Sequence, residues 1–183
     1  MKSLRFVLPG IALISLCTLG FAQTEAQKSG APKSDAQKTF DKLKTLAGSW
    51  EGRVTGVPQQ ADVEGKLTQV SFRVTSMGNA LMHEMKVDGR PDDPITMLYL
   101  DGDRLMLTHY CDAGNRPRMT AKLSPDGKTV EFDFADVAGS TKYGHMHHAV
   151  FTFIDANHHT EDWTFMEPGD KPVHPHFELQ RTK

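Results

Sequence analysis

The chain has 183 residues, 38% hydrophobic and 24% charged, with 21 Lys plus Arg against 23 Asp plus Glu and a formal net charge of −2. This composition suits one soluble domain with a modest core and excludes a collagen-like or wholly disordered chain. Neither end carries a long single-sign block, which argues against nucleic-acid or general polyanion binding.

Lys2 and Arg5 precede Phe6, Val7 and Leu8, then an apolar stretch over residues 11–19, then Gly20 and Ala22. That is the pattern of a secretory signal peptide over residues 1–22, cleaved after Ala22. Pro9 and Gly10 interrupt the stretch and leave it short of the roughly 20 residues a spanning helix needs, so no membrane span is expected in the mature chain. A lipid anchor on Cys17 is disfavoured by Leu16, which stands where that signal wants a small residue. The expected destination is the periplasm or the exterior. Export removes Cys17 and leaves Cys111 alone, so no intrachain disulfide is possible. Cys111 is then either a small buried hydrophobe or an accessible thiol.

Residues 23–34 are polar, small and interrupted by Gly and Pro, the composition of a disordered linker; residues 35–183 make up the domain. From Asp35 a helical stripe of Phe40, Leu43 and Leu46 or Ala47 predicts one helix of about three turns, with Gly48 at its C-terminal cap. Beyond Gly48 the period changes to two. Runs rich in Val, Phe, Thr and Tyr cover residues 50–55, 63–75, 80–87, 95–100, 104–111, 118–123, 129–135, 146–154, 160–166 and 173–181. Three Asp-Gly pairs, at Asp88-Gly89, Asp101-Gly102 and Asp126-Gly127, mark hairpin turns, the middle one the tightest.

Many short strands, short connections and no second helix predict an all-β, antiparallel up-and-down barrel of about 8–10 strands with a short N-terminal helix. In the second run the apolar parity switches between Val63/Leu67 and Val70/Phe72/Val74, which predicts a bulge or sharp bend there.

Gly48-Ser49-Trp50, just after a short helix, resembles the Gly-x-Trp opening of lipocalins and their calycin relatives. The resemblance implies that Trp50 closes one end of the barrel beneath Arg181, a cation over an indole. The segment from Asp101 to Cys111, followed by Gly114-Asn115-Arg116-Pro117-Arg118-Met119, is similar to exported, uncharacterised bacterial proteins with lipocalin-like or nitrobindin-like barrels. Nitrobindins hold haem through a histidine on the last strand, which implies a haem role for His176, ahead of its neighbour His174.

Histidine is the residue type that asks for explanation: all nine lie from His83 onward. His83 alternates with Leu81, Met85 and Val87, and His109 and Cys111 share a face with Leu105 and Leu107, so strand alternation turns all three inward. There they suit a soft metal or a polar ligand group. Asn115 and Arg118 follow in a connection placed to cap the mouth of a pocket, where Arg anchors carboxylates. Tyr99 and Trp163 complete the expected ligand contacts. His145, His147 and His148 form a cluster in which alternation sets the first two on one face and His148 on the other, while His158 and His159 are read as a turn. The candidate ligands of a haem or divalent metal are His109, His148 and His176.

Nucleophile elbows, Walker loops, dinucleotide glycine patterns and Cys-x-x-Cys pairs are missing, which favours a binding protein over an enzyme. The main expectation is an exported lipocalin-like binder of a small, largely apolar molecule, with His83, His109 and Arg118 as polar contacts. A haem- or metal-binding barrel is the alternative, and an interaction scaffold with a filled interior the second.

Overall fold

The computed structural model describes residues 32–182, so the expected signal peptide at 1–22 and most of the linker at 23–34 lie outside the described residues. The Ser34 hydroxyl accepts a hydrogen bond from the backbone N–H of Gln37 at 3.1 Å and caps helix α1 (Asp35–Lys44). Asp35 in the first turn and Lys42 and Lys44 in the last complement the helix dipole. The helix ends at Thr45, three residues before the expected Gly48 cap, because Gly48 with φ 133° already begins the first strand.

Ten strands follow: β1 (Gly48–Val57), β2 (Leu67–Thr75), β3 (Ala80–Val87), β4 (Ile95–Asp101), β5 (Arg104–Tyr110), β6 (Arg116–Leu123), β7 (Thr129–Ala138), β8 (His145–Phe153), β9 (His158–Glu167) and β10 (Lys171–Arg181). Each pairs antiparallel with its neighbours in sequence, and β1 pairs with β10, closing an up-and-down barrel. Every expected run corresponds to one of these strands. The predicted bend in the second run is a turn instead: the Gln60 carbonyl accepts from the N–H groups of Val63 and Glu64, Gly65 takes φ 69°, and β2 starts only at Leu67. The parity switch therefore marks the seam between turn and strand. His158 and His159 are also moved, out of the expected turn and into the start of β9. The turn is over by then, because the backbone N–H groups of Ile154 and Asp155 both donate to the His158 carbonyl.

Connections alternate between the two ends of the barrel, and the ends differ. At one, α1 lays Phe40 and Leu43 over the opening beside buried Leu46 and Trp50. Trp50 faces Arg181 across the β1–β10 seam, and the guanidinium carbon lies 4.0 Å from the indole centroid. The same guanidinium donates to the carbonyls of Ala47, Thr45 and Ala156, while Trp50 Nε1 donates to the Leu46 carbonyl. This is the end closure that the Gly-x-Trp resemblance implied. Above it Phe72, Phe132 and Phe151 fill the barrel in edge-to-face contacts. The other end carries the longer loops, 58–66 and 88–94, together with 111–115, 139–144 and 168–170. No helix among the described residues is long and apolar enough to cross a membrane.

Candidate functional site

Between those loops and the aromatic packing lies a cavity of about 650 Å³, open at the loop end. Its upper walls are apolar, with Met85, Val87, Met146, Phe165 and Val173. Its floor is formed by His83, His109 and Trp163 with Val54 and Phe177. Alternation dictates the floor: on β3 the inward residues are Leu81, His83, Met85 and Val87, and on β5 they are Leu105, Leu107 and His109.

Beneath the floor sits a buried carboxylate. Glu161 is fully buried on β9, between His159 and Trp163 on the inward face. One of its oxygens accepts from His159 Nε2 at 3.2 Å; the other accepts from His83 Nε2 at 3.1 Å and Trp163 Nε1 at 3.0 Å. Burial alone raises a carboxyl pKa, but attraction to His83 and the His159 hydrogen bond outweigh it and hold Glu161 well below the usual carboxylate range. As an anion it is an acceptor only, so both histidines present Nε2–H to it. Their Nδ1 atoms are sealed from solvent without a hydrogen-bond partner.

His109 stands apart from this array. Its Nδ1 lies 2.8 Å from the hydroxyl of Thr96, a buried inward residue of β4 that pairs with both His83 and His109. Burial, reinforced by repulsion from His83, lowers its pKa from 6.5 to about 3, so the ring is neutral in ordinary solution. Two residues on, Cys111 lines the cavity near its mouth; its thiol donates to Asp112, and burial pushes it up to about 11. It is a thiol rather than a thiolate, poorly suited to nucleophilic chemistry.

The remaining expected contacts lie elsewhere. Tyr99 points outward, because Leu98 takes the inward position on β4, and its hydroxyl meets Thr108 at 3.0 Å. Arg118 is also outside: buried Pro117 and Met119 take the inward positions on β6, so alternation turns Arg118 outward, and its guanidinium grips both oxygens of Asp136. Asn115 is buried but structural, donating to the carbonyls of Ser140 and Gly144 and so tying the 111–115 loop to the 139–144 loop. The cation at the mouth is Arg90, from the loop after Asp88-Gly89, which contacts Asp92 at 3.0 Å, Asp112 at 2.8 Å and Asp62 at 3.8 Å.

His109, His148 and His176 do not converge. His109 is inside, whereas His148 lies 2.9 Å from Glu131 and His176 lies 2.6 Å from Asp162, both on the outer face. The inward positions of β10 are held by Val173, Phe177 and Leu179 instead. A haem held from the last strand therefore does not fit, since His174 and His176 point away from the cavity. Glu131, Asp133 and His148 do place ligand atoms within 4.8 Å of one another, but Lys122 is hydrogen-bonded to Asp133 and supplies the cation there. A bulge between Met146 and His148 leaves His145 and His147 in contact at 3.2 Å beside Phe134.

Three members of the site escaped sequence reading. Glu161 carried a signal, since it shares parity with Trp163; Thr96 shares parity with Leu98 in the same way. Arg90 carried none, because loop geometry decides where it points.

No family model matches the sequence, and no curated protein matches it significantly. Among solved structures, a DUF3598-family protein of unknown function from Nostoc punctiforme aligns with a TM-score of 0.52 at 10% identity, covering 76% of this chain and 49% of that one. A candidate outer membrane protein from Bacteroides fragilis aligns over 81% of this chain and 100% of that one at 10% identity, but with a TM-score of 0.17 it bears on nothing further. The chain thus spans about half the length of the Nostoc protein, with which it shares a fold: a ten-stranded antiparallel barrel similar to a DUF3598-family protein.

Proposed function

We propose that this chain is an exported, lipocalin-like carrier or sensor of a small, largely apolar molecule, bound in the cavity at the open end of the barrel. The observation that carries this reading is the cavity itself. About 650 Å³, walled by methionine and aromatic side chains over a polar floor, is the size and chemistry of a small-molecule site. A pure scaffold would gain from filling that volume with side chains, as the lower half of the barrel is filled. The signal-like residues 1–22 support export.

The test is a titration of the processed protein with the environment-sensitive probe N-phenyl-1-naphthylamine. Trp163 lies on the floor and Trp50 beneath it against His159, so energy transfer from the tryptophans to the probe reports occupancy of the cavity. Saturable, one-to-one binding that is lost when Val87→Trp fills the cavity supports the reading. Absence of saturable binding, or binding untouched by Val87→Trp, overturns it.

A further inference from the structure

The floor of the cavity holds more chemical information than its walls. Thr96 is fully buried, and among the described residues its hydroxyl has a single hydrogen-bond partner, Nδ1 of His109. If His109 Nδ1 carried the proton, the Thr96 hydroxyl would accept and its own proton would be left unbonded in a dry interior. If Thr96 donates, both groups are satisfied. The imidazole is neutral, so its one proton then sits on Nε2, at the far end of the ring. His109 lines the cavity, and its Nε2 has no partner among the described residues. Unlike the Nδ1 atoms of His83 and His159, it is not sealed from solvent. The floor therefore offers a single free N–H donor.

The other polar side chains of the floor are already occupied. The donors of His83 and Trp163 are spent on Glu161. The mouth is acidic, since Asp62, Asp92, Asp112 and Glu167 line it against Arg90 alone, and Arg90 is engaged by three of those carboxylates. An anionic ligand would enter against that field and come to rest above the buried Glu161 carboxylate. A cationic ligand would meet a donor on the floor with nothing to accept its protons.

We infer that the cavity selects an uncharged apolar molecule carrying one hydrogen-bond acceptor, a ketone, aldehyde or ester carbonyl, which docks on Nε2–H of His109 with Thr96 holding the tautomer. This inference rests on the ligand-binding reading above and names its ligand class.

Four planar, near-isosteric probes separate the possibilities: 2-acetylnaphthalene, 2-isopropenylnaphthalene, 2-naphthoate and 2-naphthamidine. They present a neutral acceptor, no polar group, an anion and a cation. With the processed protein, 2-acetylnaphthalene is expected to bind about tenfold more tightly than the isopropenyl compound, the size of one well-made hydrogen bond. It is also expected to bind more tightly than either charged probe. His109→Phe should abolish the preference for the ketone while keeping affinity for 2-isopropenylnaphthalene, which shows that the variant is folded and its cavity intact. A nitrogen-15 spectrum of the histidine rings should show His109 as the Nε2–H tautomer, and Thr96→Val should mix the two tautomers. Equal binding of ketone and hydrocarbon, tighter binding of the anion or cation, or an Nδ1–H tautomer overturns this inference and leaves the ligand-binding reading standing. Failure of all four probes to bind overturns both.

Discussion

Acidification gives a direct measure of what it costs to bury His109. The ring titrates at about 6.5 when exposed and at about 3 in the folded barrel, with burial the larger cause and His83 the smaller. Between those values the unfolded chain binds a proton at this site and the native chain does not, so stability rises with pH and is lost as pH falls below 6.5. The slope is about 1.4 kcal/mol per pH unit for one proton. From pH 6.5 to pH 5 the site alone removes roughly 2 kcal/mol, and any native value below about 4 gives the same loss over that window. The other histidines also titrate, so the informative quantity is the difference between wild type and His109→Phe. Urea denaturation followed by tryptophan fluorescence at pH 7, 6.5, 5.5 and 5 supplies it. His109→Phe is expected to be less stable at pH 7 by about 1–2 kcal/mol, because Thr96 loses its acceptor. Below pH 6.5 it should lose stability more slowly and close the gap by pH 5. Parallel stability curves for the two proteins from pH 7 to pH 5 would show that the native ring protonates normally and refute the reasoning.

Further outcomes follow from the buried carboxylate, the closure and the thiol. Glu161→Leu strands the N–H groups of His83, His159 and Trp163 and should cost on the order of 4 kcal/mol in urea denaturation. Adding His83→Phe and His159→Phe to it should recover part of that loss, and a triple variant less stable than Glu161→Leu alone would contradict the account. Arg181→Lys keeps the charge over Trp50 but cannot reach three carbonyls at once, so a loss of about 1–2 kcal/mol is expected, and an unchanged urea midpoint would count against the closure. In a Cys17→Ser background, Cys111 should react with Ellman's reagent at pH 8 about 100-fold more slowly when folded than in urea, since its thiol is pushed up to about 11; comparable rates would rule out the shielded thiol. A Cβ at Gly52 would lie 1.8 Å from the Glu178 carbonyl oxygen at the β1–β10 seam, so Gly52→Ala should open that seam and expose its amides to hydrogen exchange; unchanged protection there would disprove it.

Alternation carried the sequence reading where one face of a strand is buried. It turned His83, His109 and Cys111 inward because each shares the parity of large apolar neighbours on its strand, and all three line the cavity. It failed where the chain is not a regular strand. Val63 was read into a strand although it belongs to a turn. Arg118, by contrast, was read as a cap on the pocket mouth although its parity, opposite to the buried Met119, marks it as outward. Glu161 was missed for a different reason: a charged residue in an inward position reads as an exception until its three donors, from β3 and β9, are seen to converge on it. Such convergence is a property of closure rather than of any one segment. The Trp50–Arg181 contact is likewise long-range, and only its resemblance to the calycin pattern made it visible in advance.

The two ends of the described chain leave from the same side. Asp35 lies beside Asp103 and Arg104, and Thr182 donates its N–H to the Ser49 carbonyl, both at the sealed end, while the mouth faces the other way. A barrel attached to a surface by its C-terminus would hold its cavity outward, as a cup stands on its base. Coupling through that terminus therefore leaves the mouth free for ligand exchange. The five loops around the mouth can also be replaced without touching the helix or the seam, which makes them the part of the molecule where selectivity can change while the barrel stays the same.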